Sequence, residues 1–148
     1  MTAKSISAIL HLTAHLLVFV WQYILQLRLT GTALAFETQS YLWGAFFIRT
    51  LLITVATQIA ISIVFHIIVR IKTGDRIDQQ DERDTLIELR SLRNFTIVFA
   101  IGFFSAMLLL TLNFPIDRMF QALAFGYLLS GLTLNITQII YYEKGYEL

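Results

Sequence analysis

At 148 residues the chain has the length of one domain, but 57% of it is hydrophobic, 14% is charged and the mean hydropathy is +0.69, too apolar for a soluble domain of this size. The net charge of +1 hides a concentration of twelve charges, six acidic and six basic, between Arg70 and Arg93, which leaves no basic face for nucleic acid. The absence of cysteine excludes disulfide exchange, thiol redox chemistry and thiolate metal sites.

A bilayer core of roughly 30 Å takes about 20 apolar residues as a helix. Four stretches have that length, at about 5–27, 44–70, 95–113 and 119–142. Backbone polar groups in hydrocarbon must pair internally, and no stretch shows the alternation of a barrel strand, so each is expected to be helical. The expectation is an all-α, polytopic membrane protein in which residues 1–148 form a single antiparallel bundle of four transmembrane helices.

The first span follows Lys4, and Ala33-Leu34-Ala35 after it has the small-x-small form of a cleavage site. Its apolar run is longer than the roughly 7–15 residues of a signal h-region, so it is expected to remain as a helix. Ser7, His11, His15, Gln22 and Gln26 give it a polar face.

The second span carries Thr50, Thr54, Gln58, Ser62, His66 and Arg70 at four-residue spacing. Such residues are neighbours on one helix surface, and each step winds the ridge by about 40°. The ridge therefore faces one partner near one membrane surface and another near the opposite one. Two readings follow: interhelical hydrogen-bonding glue, or a polar cleft open to the cytoplasm. Arg49 interrupts the apolar run and is expected to snorkel to the outer interface.

The charged stretch 71–93 reads as a loop with a turn at Gly74 and a helix start capped by Asp81, with Asp84 three residues on. Nothing breaks that helix before Asn113, so the third helix is expected over 82–113, two to three turns of it beyond the membrane. The cluster Asp81, Glu82, Arg83, Asp84, Arg90 and Arg93 has acids at the positive helix end, within reach of Arg70, Arg76 or Lys144. It lacks the spacing of a calcium loop and reads as paired surface charge or a docking face. Pro115 marks a break before the fourth span. Gly102 and Ala106 on the third span, and Ala122, Gly126 and Ser130 on the fourth, are small-xxx-small patterns suited to close helix packing, within the chain or between copies in a homo-oligomer. Asn135 and Gln138 add polar groups to the fourth span, beside Thr133 and Thr137.

Lys and Arg are few in the first and third loops and abundant from Arg70 to Arg93. The positive-inside rule then puts the middle loop and both termini in the cytoplasm, in a bacterial inner membrane. Trp21, Tyr23, Tyr41 and Trp43 fall at an outer aromatic belt, and Tyr141, Tyr142 and Tyr146 at an inner one. All ten acidic residues lie outside the spans, which argues against carboxylate-driven proton exchange.

By depth along their helices, His11, His15 and His66 can converge in the cytoplasmic half near Asn135 and Gln138. Three imidazoles suit a transition metal, and a pair across two helices suits haem. No carboxylate is placed to orient the rings and no haem-attachment motif is present, so hydrogen-bonded structural histidines are the leading expectation and no cofactor is required.

Asp81-Glu82-Arg83-Asp84 followed by Arg90 and Arg93, with Tyr142-Glu143-Lys144-Gly145 near the end, resembles a family of small, uncharacterised four-helix prokaryotic membrane proteins, a domain of unknown function. Glu143 stands where that family has a basic residue. The resemblance implies the four-helix topology and no activity. With no catalytic constellation in view, the leading expectation is a non-enzymatic accessory or structural bundle in contact with lipid and a membrane-protein partner. A transport or permeation unit built on the polar stripe is the first alternative, and a haem or metal carrier the second.

Overall fold

The computed structural model describes residues 3–30, 36–73 and 82–144. These form four helices: α1 (Ala3–Thr30), α2 (Phe36–Thr73), α3 (Glu82–Thr111) and α4 (Ile116–Lys144). Each is long and apolar enough to cross a membrane. At about 1.5 Å per residue even α1, with 28 residues, exceeds a bilayer core. Asp81 and the turn at Gly74 lie outside the described residues.

The helix ends follow from local chemistry. α3 closes in a Schellman arrangement: Phe114 N donates to Leu109 O at 3.1 Å, and Asn113 N to Leu110 O at 3.1 Å. Asn113 takes the left-handed conformation this requires, with φ 58°. Pro115 follows and supplies the first carbonyl of the next helix, accepting from Arg118 N at 2.8 Å. α2 begins at Phe36 rather than near residue 44, because its polar first turns are held by tertiary bonds. Gln39 Nε2 and Trp43 Nε1 donate to the two carboxylate oxygens of Asp117 on α4, at 3.1 and 2.9 Å.

The helices pack in the spatial order α2, α1, α4, α3. α1 packs on α2 and α4, α4 packs on α3, and α2 touches α4 only lightly; among the described residues α2 and α3 do not meet. The buried residues of α1 are Ser5, Ala8, His15, Phe19, Gln22 and Gln26, a three-and-four spacing that makes one continuous seam. α3 and α4 come closest at Gly102 and Gly126, whose backbones touch, with Ala106 and Ser130 buried along the same contact and Ala122 half-buried. The small residues expected to pack helices thus pack α3 on α4 within one chain. Only 6% of the apolar window of α2, and of α3, is buried, and Ile63, Val64, Ile67 and Ile68 stand exposed, a surface suited to lipid.

The core lies in one half of the bundle, toward the end opposite the termini. Phe19, Trp43, Phe46, Ala124 and Leu128 form its centre, with Tyr23, Phe47, Phe120 and Tyr127 against them. Trp43 stacks on Phe120, with ring centroids 5.8 Å apart and planes 12° from parallel. It belongs to this core and not to the aromatic belt expected for it: its indole N–H is satisfied by Asp117, so burial leaves no polar group stranded. Tyr23 also packs inward, while Trp21 and Tyr41 are exposed.

Candidate functional site, a polar cleft between the helices

The other half of the bundle is open. A cleft of about 580 Å³ enters from the end that holds Lys4, the start of α3 and the end of α4, and is lined by residues of all four helices. Its volume is in the range of small-ligand sites. Lys4 sits at its mouth, and His11, seven residues further along α1, at its floor, a depth of roughly 10 Å.

The floor is a set of mutually satisfied polar groups. His11 Nδ1–H donates to Gln58 Oε1, Ser62 Oγ donates to His11 Nε2 at 3.4 Å, and Gln58 Nε2 donates to the His11 carbonyl at 3.3 Å. Because the amide oxygen can only accept, Nδ1 is the donor of this pair. Where a carboxylate would normally orient a ligating histidine, an amide and a hydroxyl do so. His66, one turn beyond Ser62, donates Nδ1–H to the Ser62 carbonyl at 2.7 Å, which leaves Nε2 as the ring nitrogen that does not make this bond.

The walls are amides and the mouth is charged. Asn135 is anchored by Nδ2 to the Gly131 carbonyl at 2.9 Å, and Gln138 stands one turn further along α4 in the lining. At the mouth Lys4 pairs with Asp84, while Glu88 and Tyr142 complete the rim. Among the described residues lining the mouth one ammonium stands with two carboxylates, a balance that favours a cation there. Ser5, one residue on, donates to Glu143 and ties the two chain ends together.

The sequence-predicted residues divide into those that meet and those that do not. His11, Gln58, His66, Asn135 and Gln138 meet in the cleft, with Ser62 at its floor. His15 does not join His11 and His66: it is 5% exposed, tilts against Tyr127 with centroids 5.4 Å apart, and presses its Nε2 onto Gly131 of α4. The three imidazoles therefore form no common ligand set, and among the described residues no group of three or more His, Cys, Asp or Glu side chains is placed to hold a metal. A haem or metal bridging His11 would also displace two hydrogen bonds that already occupy its ring nitrogens.

Thr54 and Thr50 continue the stripe past the floor. Both are buried, and neither hydroxyl has a hydrogen-bond partner. The winding of the ridge is visible here: Gln58 faces α1, whereas Thr50 lines a groove with Leu123 and Tyr127 of α4 and Phe99 of α3. Arg49 turns inward instead of snorkelling outward, because Gln22 on α1 accepts a bond from its Nε at 2.6 Å.

The charged cluster is also rearranged relative to expectation. Asp84, expected to reach Arg70, Arg76 or Lys144, bonds Lys4 of α1, and Arg76 lies outside the described residues. Arg83 Nη2 donates to the Tyr141 carbonyl at 3.5 Å, and Arg90 lies 5.8 Å from the Tyr141 ring centroid, a cation–π contact. Glu82 and Arg93 are exposed. Sequence reasoning missed four residues: Glu88, hidden in a charge run; Gly131, whose missing side chain admits His15; Asp117, which anchors α2; and Tyr142, placed in a belt but standing at the cleft. For Gly131 a signal was present, a second glycine on a helix already carrying Gly126. Compared with protein families, curated proteins and solved structures, the chain matches none, so its function is argued from this geometry.

Proposed function

We propose that the chain is a small permeation or carrier unit of a bacterial inner membrane, non-enzymatic, whose cleft takes a small polar cation from the cytoplasm. The observation that carries this reading is the open cleft reaching Gln58 between all four helices: helices that only needed to pack would have no use for an accessible polar interior. The positive-inside distribution supports the cytoplasmic placement of its mouth. The excess carboxylate among the described rim residues supports a cation, and the amides and imidazoles of the floor supply exchangeable hydrogen bonds to a desolvating solute. The aromatic core closes the other side, so the arrangement is that of an access state open to one face.

The lack of native cysteine makes the test direct. Gln58→Cys, in right-side-out and inverted vesicles, is expected to react with a membrane-impermeant thiol reagent from the cytoplasmic side only, and guanidinium or methylammonium is expected to slow that reaction. Flux of those two cations into proteoliposomes is then expected above protein-free vesicles. An unreactive Gln58→Cys beside a reactive Glu88→Cys would show that the cleft holds no solvent at its floor and would overturn the reading.

A second reading, an accessory bundle that receives a partner's helix, is favoured by the separation of α2 from α3 and the groove of about 300 Å³ between them, lined by Phe47, Leu51 and Phe99. Crosslinking from Phe99→Cys in native membranes, to a second copy or to another protein, separates that reading from the first.

A further inference from the structure

The half of the bundle opposite the cleft contains a charge that the permeation reading does not use. Arg49 donates its Nε to Gln22 Oε1 at 2.6 Å, but its Nη2 is buried with no hydrogen-bond partner. Among the described residues no carboxylate is paired with Arg49, so none of them offsets the guanidinium. Arg49 as a whole is half-buried, and a guanidinium nitrogen buried without a partner is costly. One turn beyond Gln22, on the same face of α1, Gln26 is fully buried and both its amide oxygen and its amide nitrogen lack partners. One such group is an accident of packing; a cation and an amide, orphaned together on one seam, are a donor set.

We propose that Arg49 and Gln26, with Gln22 as the positioning residue, form a binding site for a phosphate group on the α1–α2 seam. Gln22 holds the guanidinium through Nε. That leaves Nη2, buried and unpartnered, on the edge by which an arginine grips oxyanions in a planar, charge-assisted manner, and Gln26 one turn from the Gln22 that holds it. Gln26 Nε2 supplies a second donor, and its Oε1 accepts from a protonated phosphate oxygen or a neighbouring hydroxyl. A halide has no proton to give that oxygen, and a carboxylate at membrane pH has none either; free phosphate has one, and a phosphodiester headgroup, itself unprotonated, supplies one through a neighbouring hydroxyl such as that of glycerol. Depth points the same way: Gln26 and Gln22 lie four and eight residues from the end of α1 at Thr30, roughly 6 and 12 Å, at and just below the level of phospholipid headgroups. The site rests on the four helices spanning a bilayer and is independent of the cleft.

The shared chemistry has two sources, a phospholipid headgroup or free phosphate, and the experiment separates them. Protein purified in mild detergent is titrated with inorganic phosphate, with sodium chloride at matched ionic strength, and with phosphatidylglycerol in mixed micelles, following thermal unfolding and native mass spectra. A saturable rise in Tm with phosphate, beyond that with chloride, identifies a free-anion site; a rise with phosphatidylglycerol alone, with one lipid retained in the spectrum, identifies a headgroup site. In either case Arg49→Met and, separately, Gln26→Leu weaken binding about tenfold or more, as expected for loss of a hydrogen bond to a charged group. Gln26→Leu keeps the test usable if Arg49→Met does not fold. No shift with phosphate or lipid beyond that with chloride, or a shift unchanged in both variants, overturns the proposal.

Discussion

Gly102 of α3 and Gly126 of α4 meet backbone to backbone, so that a methyl group on Gly102 would lie 2.6 Å from the Cα of Gly126. Neither atom belongs to a flexible side chain, and the only way to admit a methyl is to separate the helices. Gly102→Ala is therefore expected to destabilise the fold by about 1–3 kcal/mol, although alanine is the better helix former. Gly44 is the control: nothing lies within 4 Å of its would-be Cβ, and Gly44→Ala should be neutral or stabilising by up to about 1 kcal/mol. Thermal unfolding of the two variants in one detergent checks the contrast.

The contact of His15 with Gly131 makes a second, coupled prediction. Gly131→Ala should destabilise by about 1–3 kcal/mol, because the imidazole occupies the methyl's place. In a His15→Ala background most of that loss should vanish. A double-mutant cycle reads the coupling, and an additive result would show that the ring moves aside without cost.

Asp117 holds the first turns of α2 through Gln39 and Trp43. Asp117→Ala strands a buried indole N–H and removes hydrogen bonds to a charged group, a loss of about 1.5–3 kcal/mol. With only Trp21 and Trp43 in the chain, a Trp21→Phe background isolates the emission of Trp43. That emission should shift to the red in Asp117→Ala as the start of α2 loosens.

Glu88 and Asp84 share the rim of the cleft but differ in pairing, since Asp84 bonds Lys4. Glu88→Gln should lower guanidinium uptake severalfold while changing stability by no more than about 0.5 kcal/mol, because the side chain is exposed. Asp84→Asn should cost stability as well as uptake, since it unties α3 from α1. Equal effects of the two on both readouts would contradict the roles assigned here.

The positions of the four helices were legible because hydropathy reports transfer to lipid, and a run of apolar residues suffices for that. The start of α2 was not: Gln39 is polar and is helical only because Asp117, far away in sequence, receives it. The stripe from Thr50 to His66 could be read from spacing, but not which neighbour each residue meets. Gln58 finds His11 because the ridge turns as it rises, and Arg49 faces inward only because α1 presents Gln22 there. Likewise the depth of His15 was readable along the helix axis, whereas its azimuth was decided by the room that Gly131 leaves on α4. The polar cleft was foreseen as one of two uses of the stripe; the charge at its rim was obscured by the density of charges around it.

The spatial order α2, α1, α4, α3 divides the molecule into two hairpins, each made of helices consecutive in the chain, that meet chiefly along the seam between α1 and α4, with a lighter contact of α2 on α4. Each hairpin can therefore insert and pair before the other exists, and the union of the halves is a later, separable event. Cutting the chain between residues 73 and 82 crosses no described helix. Two half-molecules made as independent polypeptides should then find one another in the bilayer, guided by His15, Phe19 and the surface of α4 that receives them.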